Sequence, residues 1–585
     1  MTTKSGAEII VDFLVDRGVP YVFVGPPTNQ QFAFLDALYD RTDRIRPILV
    51  RHEVQAPLMA DGWFKATRRP GVFHVGTGPG IANTVLGVMS AYSCGAGIVG
   101  ISGQVPTGLW GRNAMQEIQS RTWAEAHRIL EPIVKRYWQV PAAGRLPDVL
   151  DQAFTTAVSG RPGPVLVDVP MDVMEADVDA VEPTRSAVPS PPSGDPDAVR
   201  TALELVRGAS RAVILAGGGT AAAGASAEIV ELAEAVGVPV VTTATGKGVI
   251  AADHPLALGA IGVMGAPAAM RAATEAQVIL ALGTRLTEWT TSSWTPGLPF
   301  DRSRTRLIQV DIDPGEIGRS FPAEIGIVGD VRRVLVQMLA LVDRSAPPDP
   351  QRAAWVRELQ ALGDEREPAT SSPPTPGTVR ADAFIRTLRR VLPRDAIVLP
   401  DAGNHGSLMD RLWPAYEAGT YLVDKGTHAM GYAPCASLGV KLGRPERTVV
   451  VVTGDGCFTQ VNWVLATAQE HSIDVKFVVI DDGALGGCVG AQEALFAGRV
   501  IATRFEVQST GQPYRQDFVQ LAAAYGVPAT RINDASQADD AIRGMLAEPG
   551  PFLLVVESDP TVRPIGAGTI IVTRRQVAVS PAEAH

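Results

Sequence analysis

Cysteine, clustered positive charge and long apolar runs are all scarce in this sequence, and each shortage closes off a class of function. Only four cysteines occur, Cys94, Cys435, Cys457 and Cys488, and no two form a C-x-x-C pair. That argues against a disulfide framework or a zinc site and suits a reducing cytoplasm. No stretch of about twenty apolar residues is present, so no membrane span is expected. The opening Met1-Thr2-Thr3-Lys4-Ser5 lacks the apolar core of a signal peptide. No Lys/Arg-rich run appears and the net charge of −10 is spread along the chain, which argues against a nucleic-acid partner.

What is present describes a large, well-packed globule. Hydrophobic residues make up 46% and charged residues 19% of 585 positions, too long a chain for one core, so roughly two to four domains are expected. Two segments rich in proline, serine and charge, Glu182 to Ala198 and Ala346 to Thr378, read as exposed connections, with a helix expected over Arg352 to Leu362. They divide the chain into blocks at 1–181, 199–345 and 379–558, followed by a tail at 559–585. Each block alternates short β-branched runs with amphipathic runs. The fold class expected is therefore α/β, with three doubly wound parallel-sheet domains.

One pair of turns carries more chemistry than the rest. A Val-rich strand, Thr448 to Val452, runs into Gly454-Asp455-Gly456. A helical stretch from Thr459 to His471 and a second apolar strand, Val475 to Ile480, lead to Asp481-Asp482-Gly483, 24 residues (457–480) after the first turn. In a strand–helix–strand unit both turns lie at the carboxyl ends of neighbouring strands, where ligands bind. Carboxylates and exposed glycine backbone then converge, which suits a Mg²⁺ ion holding a diphosphate.

In the first block, Arg51-His52-Glu53 closes the apolar strand Ile48 to Val50, and Ala60-Asp61-Gly62 follows on a helix. A glutamate at a strand end with apolar residues behind it is placed for a raised pKa and proton exchange. Thr77-Gly78-Pro79-Gly80 with Asn83, then Ser102-Gly103-Gln104-Val105-Pro106 and Met115-Gln116-Glu117, follow in order. Gly217-Gly218-Gly219, Leu282-Gly283-Thr284-Arg285 and Asp311-Ile312-Asp313-Pro314 mark the middle block, and Asp401-Ala402-Gly403-Asn404-His405 and Ala429-Met430-Gly431 the last. Together these segments resemble thiamine-diphosphate (ThDP)-dependent enzymes of the acetohydroxyacid synthase / pyruvate oxidase type, nearly end to end.

The resemblance implies roles. Asp455 and Asp482 would bind Mg²⁺ by side chain and Ala484 by its backbone carbonyl. Pro79, Asn83, Gly403, Asn404, His405, Gly454, Gly456 and Cys457 would line the cofactor, Met430 would bend it, and Glu53 would hydrogen-bond N1′ of its aminopyrimidine. Glu53 would then favour the imino form, a C2 ylide would attack a 2-keto acid, and loss of CO₂ would leave an enamine. Glu53 is expected from one subunit and the Mg²⁺ turn from another, in a homodimer or homotetramer. The middle block holds FAD in some members and nothing in others; Arg285, Asp311 and Asp330 lie where flavin contacts are expected.

The chain also departs from the family. Asp481-Asp482 stands where Asn-Asn is usual, which predicts a stronger metal dependence. Gly25-Pro26-Pro27-Thr28-Asn29-Gln30-Gln31 replaces a G-x-P-G turn, and Phe496 is the only aromatic residue from Leu485 to Thr503. Asn29, Gln30, Gln116 and His428 are the candidate substrate contacts, with Glu53 and Met430 the other candidate catalytic residues. The first reading is a 2-keto acid decarboxylase/carboligase. The alternatives are a hydrolase or lyase of a diketone, sulfoacetaldehyde or an acyl-CoA, and a non-catalytic cofactor-binding paralogue.

Overall fold

The computed structural model describes residues 3–118, 127–179, 185–301, 303–343, 349–362, 375–564, 569–571 and 576–578. Three parallel sheets form, one in each block. The first has strands β1 (Tyr21–Val24), β2 (Arg46–Leu49), β3 (Gly71–Val75), β4 (Ile98–Gln104), β5 (Arg136–Gln139) and β6 (Val165–Pro170), in the order β2-β1-β3-β4-β6-β5. The second has β7 (Ala212–Ala216), β8 (Val240–Thr242), β9 (Ala257–Ala260), β10 (Val278–Leu282), β11 (Arg306–Asp311) and β12 (Ile325–Val328), in the order β9-β8-β7-β10-β11-β12. The third has β13 (Ile397–Pro400), β14 (Val449–Gly454), β15 (Lys476–Asp481), β16 (Ala529–Ile532) and β17 (Phe552–Glu557), in the order β13-β14-β15-β17-β16. Central strands such as β10 and β14 are buried along their whole length, as near-continuous Val/Ile/Leu runs require when helices cover both faces.

The first and third blocks share a core. Helix α1 (Gln55–Thr67) crosses a helix over Tyr432–Gly443 so closely that a Cβ on Gly62 would collide with the Ala436 carbonyl, and one on Gly439 with that of Met59. Phe23, Trp63, Tyr432 and Phe458 lie in the one apolar cluster that results. Glycine is demanded at this crossing by approach, not by backbone angle.

The expected helix from Thr459 to His471 starts earlier and is broken. It runs as Asp455–Val461 and Val464–Glu470, because the turn after β14 passes straight into helical geometry and Asn462 donates back to the Thr459 carbonyl (3.1 Å). The expected helix in the second connection forms over Pro350–Ala361 and is fastened to the middle block. Arg352, buried, donates to the carbonyls of Val206, Arg207, Ala209 and Val236, closing the ends of two helices. Pro183, Pro347, Pro348, Pro368, Pro373 and Pro374 of the two connections lie outside the described residues, as do 565–568, 572–575 and 579–585 of the tail. Among the described residues no helix is long and apolar enough to cross a membrane.

Candidate functional site

Strands β14 and β15 pair in parallel with Gly454 opposite Ile480, so the two acidic turns emerge side by side. Asp455 is buried; its Oδ1 accepts from the Gly456 amide (2.8 Å) and its Oδ2 from the Gly483 amide (2.9 Å). The second bond ties the first turn to the second. Burial and the nearby Asp482 and Asp481 carboxylates push the Asp455 pKa up. Burial also raises Asp482, to about 6, against the Ala484 amide and Arg563. Asp481 is matched by Arg515, 3.6 Å from its Oδ2. Two buried carboxylates crowded beside each other repel, and the repulsion with burial favours their protonated forms.

The opposite wall is built by β13. Asn404 Nδ2 and His405 Nε2 are buried and have no hydrogen-bond partner among the described residues. A Cβ on Gly486 would meet Asp482 Oδ2 and lie 2.9 Å from Asn404 Nδ2, so Asn404, Asp482 and the start of the helix Gly486–Leu495 share one small space. The His405 ring lies between Gly403 and Gly454: a Cβ on either would come 2.9 Å from its Cε1. Burial, with His428 and Lys425 adding to it, holds His405 down to about 3, so the ring is neutral. Cys457 Sγ donates to the Ala402 carbonyl (3.0 Å), and burial pushes its thiol up, which fits packing and not nucleophilic use. Met430 is half-buried, with Gln460 Nε2 donating to its sulfur (3.6 Å) and a Gly456 Cβ position 3.7 Å from its Cε.

The group implied for this space is a diphosphate with its cation, and the residues fit it. Two carboxylates and unpartnered, buried Asn404 and His405 nitrogens surround a cradle in which added Cβ atoms would intrude. Among the described residues no set of three or more His, Cys, Asp or Glu could hold a metal. The expected ligand set needs only two, because its third member is the Ala484 carbonyl.

Glu53 belongs to a separate cluster. Half-buried at the end of β2, it accepts from Asn83 Nδ2 (2.9 Å) through Oε2. Nearby, Gly78 lies against Gln116, whose Oε1 is buried without a partner. Pro79 is exposed at the first position of the helix Pro79–Cys94. Asn29 is also exposed, whereas Gln30 and Gln31 are buried; Thr28 donates to Gln30 Oε1 (2.5 Å), so the polar character of this loop is turned inward at its two glutamines. No hydrogen bond or ion pair joins Glu53 to the diphosphate turns among the described residues. Its neighbours attach elsewhere: Arg51 pairs with Glu470 (2.6 Å), His52 stacks on Trp463 (5.7 Å between centroids), and Gln55 Oε1 accepts from Thr467 (3.2 Å). His52 is thereby structural. Lys135 donates to the carbonyls of Thr156, Ser159 and Arg161, which occupies it as a helix cap.

A cavity of about 350 Å³ opens where the middle sheet reverses its strand order, between β7 and β10. It is lined by Gly218, Gly219, Arg285, Asp311 and Asp330, and also by Trp289 and Lys425, which sequence reasoning did not single out. Burial raises Asp311 to about 6 and lowers Arg285. The Asp424-Lys425 pair before Ala429-Met430-Gly431 was the available signal, two opposite charges next to a family motif.

Residues 4–122 match the thiamine pyrophosphate enzyme N-terminal TPP binding domain, 199–338 the central domain and 401–556 the C-terminal TPP binding domain. The chain is 34% identical to the probable acetolactate synthase large subunit of Methanocaldococcus jannaschii over 567 residues, covering 95% of this chain and 92% of that one. It is 35% identical to the acetolactate synthase isozyme 3 large subunit of Escherichia coli, covering 91% and 90%. It is 34% identical to the acetolactate synthase large subunit of Corynebacterium glutamicum, covering 92% and 84%.

Proposed function

The chain belongs to the thiamine pyrophosphate enzyme family and is a ThDP-dependent enzyme of the decarboxylase/carboligase kind; from that premise we propose that it binds ThDP with Mg²⁺ at a subunit interface and joins carbonyl units drawn from 2-keto acids, a reading supported by its likeness to proteins named acetolactate synthase. The observation that carries this reading is the meeting of Asp455 and Asp482 with the unpartnered nitrogens of Asn404 and His405. When bound, ThDP supplies a carbon nucleophile and an electron sink beside a carbonyl.

This chain's residues have the remaining tasks. Asp455 and Asp482 hold Mg²⁺ by side chain and Ala484 by its carbonyl. Gly403, Asn404, His405, Gly456 and Cys457 would line the diphosphate, and Met430 would be the apolar side chain packed against the cofactor. Glu53 would hold or return a proton at N1′, with Asn83 donating to its Oε2 and leaving Oε1 outside that bond. The two clusters are brought together by dimerisation, in a homodimer or homotetramer. The middle cavity takes FAD: its strand order is that of dinucleotide-binding sheets, and the Arg285 guanidinium has no hydrogen bond or salt bridge among the described residues. The cytoplasm is the proposed location.

The test is a panel of 2-keto acids and aldehyde acceptors with and without ThDP and Mg²⁺, following CO₂ release and product mass. We expect CO₂ release that requires both, with a coupled product heavier than the aldehyde alone, and a yellow purified protein. A protein that binds ThDP yet releases CO₂ from none of the acids contradicts the proposal.

A further inference from the structure

The segment between β13 and the Tyr432–Gly443 helix holds a chain of buried and half-buried polar groups that the two acidic turns do not use. Asp424 starts it. Its carboxylate accepts from the amides of Gly426 (2.9 Å), Thr427 (3.1 Å) and Ala429 (3.3 Å), and from Ser90 (3.0 Å) and Cys94 (3.2 Å) of the first block. Burial opposes its charge, but Lys65 and the hydrogen bonds from Thr427 and Cys94 hold Asp424 down at about 2. A carboxylate so heavily bonded forces the turn tight, and His428 is left in the left-handed region at φ 54°.

The same turn presents Lys425. Its Nζ lies 2.7 Å from Asp410 Oδ2, an ion pair off the hydrogen-bond direction, and 3.3 Å from His428 Nε2. Asp410 is anchored in turn by Tyr421 OH, which donates to its Oδ1 (2.7 Å). The Lys425 ammonium also lies over the Trp289 ring at 4.7 Å, and His428 meets that ring edge-on at 5.5 Å. An ammonium can only donate, so His428 Nε2 must accept from it, and the imidazole proton is then on Nδ1. His428 Nδ1 has no partner among the described residues and is not sealed from solvent, since the ring is only half-buried, two residues from Met430.

We infer that Asp410 and Lys425 hold His428 with its proton on Nδ1, as a hydrogen-bond donor to an oxygen of the bound carbonyl substrate; this rests on the ThDP reading above. Lys425 is a positioning residue and His428 the group that meets the substrate. The groups facing His428 are Lys425 and His405, with the carboxylates of Asp410 and Asp424 beyond them. Burial, then Lys425, lowers its pKa to about 4, so the donor form persists through neutral pH.

The test is nitrogen NMR of the ThDP- and Mg²⁺-loaded protein carrying ¹⁵N-imidazole histidine, repeated on the free protein. The His428 signal is identified by its loss in His428→Asn. We expect the Nδ1–H form with no titration between about pH 5.5 and 8. In Lys425→Met the tautomers should mix and the midpoint should rise toward the ordinary histidine range, while Lys425→Arg keeps the wild-type form. His428→Ala should lower kcat/KM about 100-fold while ThDP affinity stays within about twofold. The Nε2–H tautomer in wild type, or full turnover by His428→Ala, overturns the inference. A wild-type protein that fails to bind ThDP defeats the functional reading instead, and the tautomer of the free protein still decides the Asp410–Lys425–His428 chain.

Discussion

The separation of Glu53 from the two acidic turns can be tested by mixing two dead chains. In one chain Glu53 is bonded to Asn83, and Arg51, His52 and Gln55 on either side fasten its segment to the back of the Val464–Glu470 helix. If the sites form between subunits, Glu53→Gln removes the proton-handling group from both sites of a homodimer. Asp455→Ala removes a metal ligand from both. Each variant alone should lose about 100-fold or more in turnover. A mixed dimer is different: one site carries both lesions and the other carries none. With random exchange, half the dimers are mixed and one of their two sites is intact, so about one quarter of wild-type turnover should return. Isolating mixed dimers through two affinity tags should raise that to about one half. The assay is CO₂ release at saturating ThDP and Mg²⁺, with dimer size confirmed by light scattering. Isolated mixed dimers as inactive as their parents would refute the reasoning, because both halves of a site would then come from one chain.

Three further outcomes are expected. Asp482→Asn should weaken Mg²⁺ binding about tenfold and reduce the metal requirement for ThDP, because a carboxylate leaves a crowded acidic cluster; equal Mg²⁺ titrations of the two proteins would contradict this. Gly439→Ala should cost about 1–3 kcal/mol in denaturant unfolding, since its Cβ collides with the Met59 carbonyl at the helix crossing, and a wild-type midpoint would show that the helices can separate freely. His74 is wholly buried and held down to about 4 by burial, against an ordinary value of 6.5. Between those values the unfolded chain binds a proton that the folded chain does not, so stability falls as pH drops through that window, by up to about 3 kcal/mol. His74→Gln should flatten that slope in urea titrations at several pH values, and an unchanged slope would assign the acid sensitivity elsewhere.

Local signals in the sequence were sufficient for much of the frame. The Gly71–Val75 strand, the two acidic turns and the helix inside the second connection were readable because each is announced by a β-branched run, a glycine or an apolar period. The crowding of Asp455 by Asp482 followed from the strand–helix–strand spacing alone. What was not legible depends on contacts distant in sequence. Lys425 is marked in the sequence only by its charged neighbour Asp424; it gains meaning from Asp410 and Trp289, which the fold brings beside it. Arg352 sits in a proline-rich stretch that reads as solvent-exposed, yet four carbonyls from two helices of the middle block converge on it. Polarity marks Asn29, Gln30 and Gln31 alike and does not say which of three consecutive amides faces inward; here Gln30 and Gln31 do.

The segment 424–431 explains why the three blocks are one machine and not three domains in a row. Asp424 is hydrogen-bonded to Ser90 and Cys94 of the first block, Lys425 lines the cavity of the second, and the Gly431 amide donates to Asp401 (3.0 Å), whose carboxylate also accepts from Thr453 (3.0 Å) beside the diphosphate turn. Burial raises that Asp401 to about 7, so its bonds to Gly431 and Thr453 sit in a low-dielectric setting where they are strong and costly to leave half made. Met430 is therefore positioned from both sides, by a carboxylate of the third block behind it and by helix Pro79–Cys94 through Asp424 ahead of it. A change in the middle cavity reaches the same segment through Lys425 and Trp289. Geometry at Met430 and at His428 is thus set jointly by all three blocks, which is a physical reason for the chain to retain a middle domain whether or not that domain takes part in the chemistry.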